Sequence, residues 1–292
     1  MIVSIMQPYF FPYVGYFQLV AQSDVFVFHD DVQYVKGGWI NRNRIVDRKG
    51  EVWITLPVGA ASHALSILER SYLAEKESSC RVLRKIENAY GRTLNFCRAF
   101  PLIREILQFD DLNVAAFNIN LLESVARQLE LRARFVRSSE LPIPKGLAGQ
   151  SRVIAICQLL GATKYVNPIG GAGLYDAQGF AKNGILLRFL RTAVEPNSGS
   201  FSYVSIINDL MTKTDATIKQ QLQAFHIVSD VGNRILNAPP SPALLLSHDK
   251  ECSIRRAGSV ARLPNGFLLP PRGNSHAALK PARLDPEDRS RK

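Results

Sequence analysis

The sequence predicts an α/β fold: a Rossmann-like, mostly parallel sheet, helices around it, and an antiparallel hairpin near the N-terminus. Three observations carry this. Short apolar runs of strand length alternate with segments of helical periodicity. The opening strand, helix and strand fit within residues 2–29, the compass of a βαβ unit. The composition, 46% hydrophobic and 21% charged, is that of a chain able to bury a core without disulfides or metals.

Ile2 to Met6 is a buried-strand run, ended by Gln7-Pro8. Pro12 fits a first helical turn, and Tyr13, Tyr16, Phe17 and Val20 repeat at helical spacing. Val25 to His29 is the second strand. Val32 to Val35 and Trp39 to Val46 flank Lys36-Gly37-Gly38, which predicts a hairpin there, with a further strand over Val52 to Val58 after a turn at Arg48-Lys49-Gly50. From Glu75 the pattern is helical: Val82, Ile86 and Tyr90 recur every fourth residue and Gly91 is a stop. Pro101 is expected to open a second helix, and Phe117, Leu121 and Val125 mark a third. Ala133 to Arg137 reads as a strand, and Ser151 as the cap of a helix that Gly161 closes. Lys164 to Val166 and Ile185 to Leu190 are strands, Asp176 to Lys182 and Val204 to Met211 helices, and Thr214 caps a last helix reaching Phe225. After Ala238 the periodicity stops. Residues 1–237 are therefore expected to form one domain and 238–292 a Pro-rich, basic, disordered tail.

The net charge is +11, but the tail from Ala238 carries ten Lys and Arg against five Asp and Glu, leaving +6 for the body. That excess comes with no basic helix and no nucleic-acid motif, so nucleic acid is not an expected partner. No apolar run reaches the roughly 20 residues of a membrane helix, and the first residues lack a basic n-region, so a cytoplasmic protein without membrane insertion is expected. Cys80, Cys97, Cys157 and Cys252 are widely spaced, which argues against a zinc site or a disulfide framework; no metal is expected and no cofactor is indicated.

Candidate chemistry gathers in residues 7–44. In a parallel sheet, ligands sit at the carboxyl ends of the strands, where Gln7 to Tyr9 and Asp30-Asp31 fall. The adjacent acids can serve as a base, hold sugar hydroxyls or bind Mg²⁺; a solvated turn explains them as well. His29 is a lone histidine, more simply structural. Lys36, Trp39, Asn41, Arg42, Asn43 and Arg44 combine anion-binding forks, amides and a stacking face. A glycine-rich loop, Asn167 to Gly173, follows a strand and can present N–H groups to an anion, with Tyr175 and Asp176 just beyond. The run from Gln7 to Tyr16 also resembles the HxGH region of nucleotidylyltransferases, with Tyr13 and Tyr16 at the histidine places. Tyrosine lacks the imidazole's charge, and a core stripe accounts better for Phe10, Tyr16 and Phe17. No G-x-S-x-G and no HExxH occurs.

The strings QPYFFPYVGYFQL and DDVQYVKGGWINRNRI, with YVNPIGGAGLYDAQGFAKNGILLRFL and SIINDLM, resemble the blocks of the WbqC-like protein family. The likeness runs from Met1 to about Val228. It implies a bacterial cytoplasmic protein of O-antigen, capsule or related surface-polysaccharide biosynthesis. The implied function is a transferase that modifies a nucleotide-linked or phosphate-bearing (amino) sugar, by acyl or aminoacyl transfer. An acyl donor or carrier protein would be its partner. The alternatives are a non-catalytic sugar- or nucleotide-binding accessory of a biosynthetic complex and a divergent nucleotidylyltransferase. The residues it implies are Asp30 and Asp31 for catalysis. For substrate they are Gln7, Tyr9, Tyr13, Gln33, Lys36, Trp39, Asn41, Arg42, Asn43, Gly170, Gly171 and Tyr175. One departure stands out: Asn208 occupies the place where the family is expected to carry Asp, and Asp209 follows one residue, about 100° around a helix, later.

Overall fold

Strands as apolar as IVSIM and VFVF need cover on both faces, which a parallel sheet between two helical layers provides. The computed structural model describes residues 1–74, 76–193 and 203–229. Six strands, β1 (Ile2–Met6), β2 (Val25–Phe28), β5 (Arg134–Arg137), β6 (Lys164–Pro168), β7 (Leu186–Thr192) and β8 (Phe225–Val228), form one sheet in the order β5-β2-β1-β6-β7-β8. All neighbours run parallel except β7 and β8. The order is that of a Rossmann sheet, with β1 central and the winding reversing between β1 and β6. A separate antiparallel pair, β3 (Arg42–Asp47) and β4 (Gly50–Thr55), stands beside it. The α/β expectation holds.

Period-two alternation sends the strand residues to two cores. Val3, Ile5, Val25, Val27, Tyr165 and Leu187 face α5 (Gly149–Leu159) and α6 (Ala177–Ala181), packing on Val153, Ile156, Cys157 and Phe180. Phe26, Phe28 and Val166 face the opposite, larger core. It is built from α1 (Val14–Ala21), α2 (Lys76–Tyr90), α3 (Phe96–Leu107), α4 (Val114–Gln128), α7 (Ile206–Thr212), α8 (Asp215–Gln223) and the hairpin.

Four local expectations are revised. The hairpin turns at Arg48-Lys49, between β3 and β4, whereas Lys36 to Gly38 is a turn in a loop and Val32 to Val35 contributes only the isolated pairing of Gln33 with Ser66. Pro101 lies inside α3, because Phe100, Ile103, Ile106 and Leu107 bury one continuous face that begins before it. α5 begins at Gly149 with no side-chain cap, so Ser151 is already helical. Residues 225–228 form the strand β8 and extend the sheet. The expected boundary at 237/238 and the tail beyond it lie outside the described residues.

Between β1 and α1 the chain runs through Gln7 to Tyr13 without regular structure, and Phe10 and Phe11 are fully buried. Buried carbonyls need partners. Five of the six from Gln7 to Pro12 find one. Tyr16 Oη donates to Gln7 O (3.0 Å), and Asn118 Nδ2 to Pro8 O (2.8 Å). Asn43 Nδ2 donates to Phe10 O and Phe11 O (3.1 and 2.8 Å), and the Ile206 N–H to Pro12 O (2.9 Å). The loop bends at Phe11, whose φ of 41° is left-handed and strained for an aromatic residue. Burial of the Phe11 ring and the Asn43 amide hold it there. Replacing Asn43 with Ala strands two buried carbonyls and should cost about 2–4 kcal/mol of stability. Asn41→Ala, which loses one half-buried bond to Leu56 O, should cost about 1 kcal/mol. Urea unfolding of both variants measures the difference.

Candidate functional site at the carboxyl edge of the sheet

The carboxyl ends of β1, β2, β5 and β6 meet the N-terminal turn of α5 at one edge of the sheet. Gln7 follows β1, and His29, Asp30 and Asp31 follow β2. Ser138 and Ser139 follow β5, Ile169 to Leu174 make a 3₁₀ turn after β6, and α5 supplies Gln150 and Arg152.

The two adjacent acids have different surroundings. Asp30 is wholly buried; it accepts from Ser139 N (3.0 Å) and Ser139 Oγ (2.7 Å), and Ser138 Oγ lies 3.1 Å away. Those bonds tie the end of β5 to the end of β2, so Asp30 is engaged as a brace. Asp31 is partly exposed, pairs with the Arg152 guanidinium and accepts from Ser138 Oγ.

His29 continues the inward alternation of Val25 and Val27. Its ring is half-buried, while Nε2 is sealed from water and has no hydrogen-bond partner. Burial pulls its pKa down to about 4; Arg152 adds to that pull, and Asp31 and Asp30 oppose it. The imidazole is therefore neutral near pH 7. Gln7 Oε1 and Arg152 Nε are likewise buried without a partner. Sequence reasoning set His29 aside and did not select Arg152, because nothing in the sequence pairs residues so far apart.

At the β6 end, Asn167 Oδ1 lies 3.3 Å from Tyr165 Oη, which also donates to Tyr175 Oη (3.3 Å). A Cβ at residue 171 would fall 2.1 Å from Asn167 Nδ2, so a side chain there would require the Asn167 amide to move. Gly170 lies in the same turn, half-buried. Asp176 caps α6, accepting from Gln178 N and Gly179 N, while its own N–H donates to Gln150 Oε1. Burial raises the Tyr175 phenol, which stays protonated.

The remaining predicted residues lie elsewhere. Tyr9 is a core residue tilted against Tyr16, its phenol pushed up by burial. Tyr13 packs against Tyr203 at 4.8 Å and folds over Gly15, where a Cβ would fall 2.2 Å from the tyrosine ring; burial pushes its phenol to about 12. Gln33 and Lys36 are exposed, and Gln33 donates to His63 O. Asn41 and Asn43 hold backbone. Trp39 stacks on Trp53, 5.6 Å between centroids, and Trp53 is 41% exposed. Arg42 lies over Trp53 and donates to Gly37 O, while Arg44 lies over both indoles and pairs with Glu51. This hairpin cluster is cross-braced by its own cation–π contacts.

Asn208 lies in α7, buried, its Oδ1 accepting from Tyr90 Oη (3.3 Å), which in turn accepts from the Val46 N–H (3.0 Å). Asp209 pairs with Lys213, and burial raises its pKa against the pull of that lysine. A carboxylate at 208 would add a second buried negative charge beside it. Among the described residues no group of three His, Cys, Asp or Glu is placed to hold a metal ion, and no helix is long and apolar enough to cross a membrane.

Two measurements follow from these environments. A histidine held neutral in the fold contributes stability that is present above about pH 6.5 and lost as pH falls toward about 4. Unfolding free energy should drop across that window by on the order of 2 kcal/mol, allowing for the ring's partial exposure. His29→Gln should flatten the slope. Asn208→Asp should lower the melting temperature at pH 7 by several degrees, about 1–3 kcal/mol. The carboxyl's folded pKa would be raised, so the deficit should shrink as pH falls toward 4 and the group protonates.

A model of the WbqC-like protein family matches residues 7–220. The curated protein "Uncharacterized protein Rv1507c" of Mycobacterium tuberculosis is 28% identical over 179 residues, 61% of this chain and 77% of that one. No solved structure matches. The matched span takes in the strained loop, the hairpin, the carboxyl edge and α7, and the chain belongs to the WbqC-like protein family.

Proposed function

We propose that this protein is a cytoplasmic transferase of bacterial surface-polysaccharide biosynthesis. Its substrate is a nucleotide-linked or otherwise phosphate-bearing sugar, and the modification is an acyl or aminoacyl transfer to an amino sugar. The observation that carries the reading is the convergence of Gln7, His29, Asp31 and Arg152 where the winding of the sheet reverses. In open α/β sheets that crevice is where ligands bind. Arg152 supplies a planar fork suited to phosphate. Asp31, unlike Asp30, is accessible enough to hold a sugar hydroxyl or amine, and Gln7 brings a buried, unpartnered amide oxygen to the same edge. The glycine turn after β6 adds backbone N–H groups on the far side of the switch point.

The test is a thermal-shift panel of nucleotide sugars, acyl-CoA compounds and ATP, each with and without Mg²⁺. Ligand at a hundred times its dissociation constant stabilises by about 2.7 kcal/mol, a rise of several degrees. A nucleotide sugar is expected to give that rise, and Asp31→Asn to abolish product formation, followed by mass spectrometry, without weakening binding. A rise with ATP alone would favour nucleotidylyl transfer instead. Tight sugar binding with no product from any donor would favour a binding accessory.

A further inference from the structure

Most of the buried polar atoms around β1 and β2 are matched, down to the carbonyls of the strained loop. Unmatched buried side-chain atoms occur at several places among the described residues, Gln18 Oε1, Arg42 Nε and Arg70 Nε included, and three of them lie together at the carboxyl edge. His29 Nε2, Gln7 Oε1 and Arg152 Nε are sealed from water and have no partner, and all three belong to side chains at the ends of β1 and β2 or the start of α5. Among them Arg152 is the cation, and its Nη2 is engaged by Asp31 Oδ2. The fork is thus half-used, its Nε buried and unpartnered. An oxyanion, whether phosphate or carboxylate, binds guanidinium through two parallel bonds and competes directly with Asp31 for it.

That competition has an electrical consequence. The charged and titratable groups facing His29 are Asp31 and Asp30 from its own loop and Arg152 from α5. While Arg152 is paired with Asp31, their charges largely cancel at the imidazole. When an external anion takes Arg152, Asp31 is left uncompensated and the anion adds its own negative charge nearby. Both favour an imidazolium.

We propose that the Arg152–Asp31 ion pair is an exchangeable gate: a substrate oxyanion displaces Asp31 from Arg152, and His29 Nε2 takes up a solvent proton as the anion binds. The occupied site then holds a proton donor that the empty site lacks. This rests on the carboxyl edge being the substrate site and adds the group that titrates there.

Sulfate is the probe, because it does not itself titrate across the range needed. The His29 ring resonance is followed by NMR between about pH 3.5 and 8 in sodium sulfate. Sodium chloride of equal ionic strength is the control, and sodium trifluoroacetate, which stays ionised over the same range, is the carboxylate arm. The His29 midpoint is expected to rise by about 1–3 pH units in sulfate over chloride. A rise in trifluoroacetate as large as in sulfate would assign the gate to carboxylate substrates as well. Calorimetry in two buffers of different ionisation enthalpy should show proton uptake on sulfate binding, lost in His29→Gln. Arg152→Gln should abolish sulfate binding, and Arg152→Lys should retain part of it. Asp31→Asn should bind sulfate several-fold more tightly with a smaller His29 shift. Sulfate bound with the His29 midpoint unmoved would overturn the gate, as would unchanged sulfate affinity in a folded Arg152→Gln protein. Sulfate-linked proton uptake alongside a silent nucleotide-sugar panel would overturn the sugar reading and leave the gate standing. The reverse pattern would remove the gate alone.

Discussion

The structure depends on the satisfaction of one irregular stretch of backbone. Residues 7–12 are outside any strand or helix, with two phenylalanines buried and no ladder or helical turn of their own to absorb the carbonyls. Asn43, Asn118, Tyr16 and the start of α7 absorb them instead. Each of those groups belongs to a different element, so hairpin, α4, α1 and α7 are locked to the end of β1 by the same requirement. Asn118 is itself fixed by Tyr72 Oη (2.9 Å) and also serves Ile40 O. A loop supported from so many directions can hold a left-handed phenylalanine and present Gln7 at the switch point without moving.

The same requirement separates scaffold from chemistry. Two acids adjacent in sequence diverge, because Asp30 faces the start of the 3₁₀ turn after β5 and Asp31 faces α5. The first is saturated by neutral donors and behaves as part of the frame. The second is matched by a charge, and an ion pair with some access to water exchanges more readily than a buried array of short hydrogen bonds. The groups at this edge left least saturated by neutral neighbours are therefore Asp31, Arg152 and the neutral His29.

Much of the fold was legible in the sequence. The apolar runs of β1, β2, β6 and β7 and the stripes of α2 and α4 state their burial directly, and residues 7–44 stood out as more polar and aromatic than a core requires. The sequence does not distinguish a residue that binds a ligand from one that binds backbone. Asn41 and Asn43 carry the amides expected of a substrate site and spend them on carbonyls. Trp39, Arg42 and Arg44 have the chemistry of an anion-stacking surface and brace one another. β8 was hidden because FHIV is short and half-exposed, and owes its conformation to pairing with β7 rather than to its own pattern. His29 and Arg152 were unreadable as partners because only the crossover through β5 and α5 brings them to one edge.

Gly15 has a bearing on how this family can vary. The Tyr13 ring lies where a side chain at 15 would be, and it is held there by Tyr203. Positions 13 and 15 are accordingly a single unit of change. A relative that carries a side chain at the second must have swung the aromatic ring at the first aside or traded it for something smaller, and with it the contact to residue 203. Co-variation of these three positions, rather than invariance of any one of them, is the trace this packing would leave in an alignment.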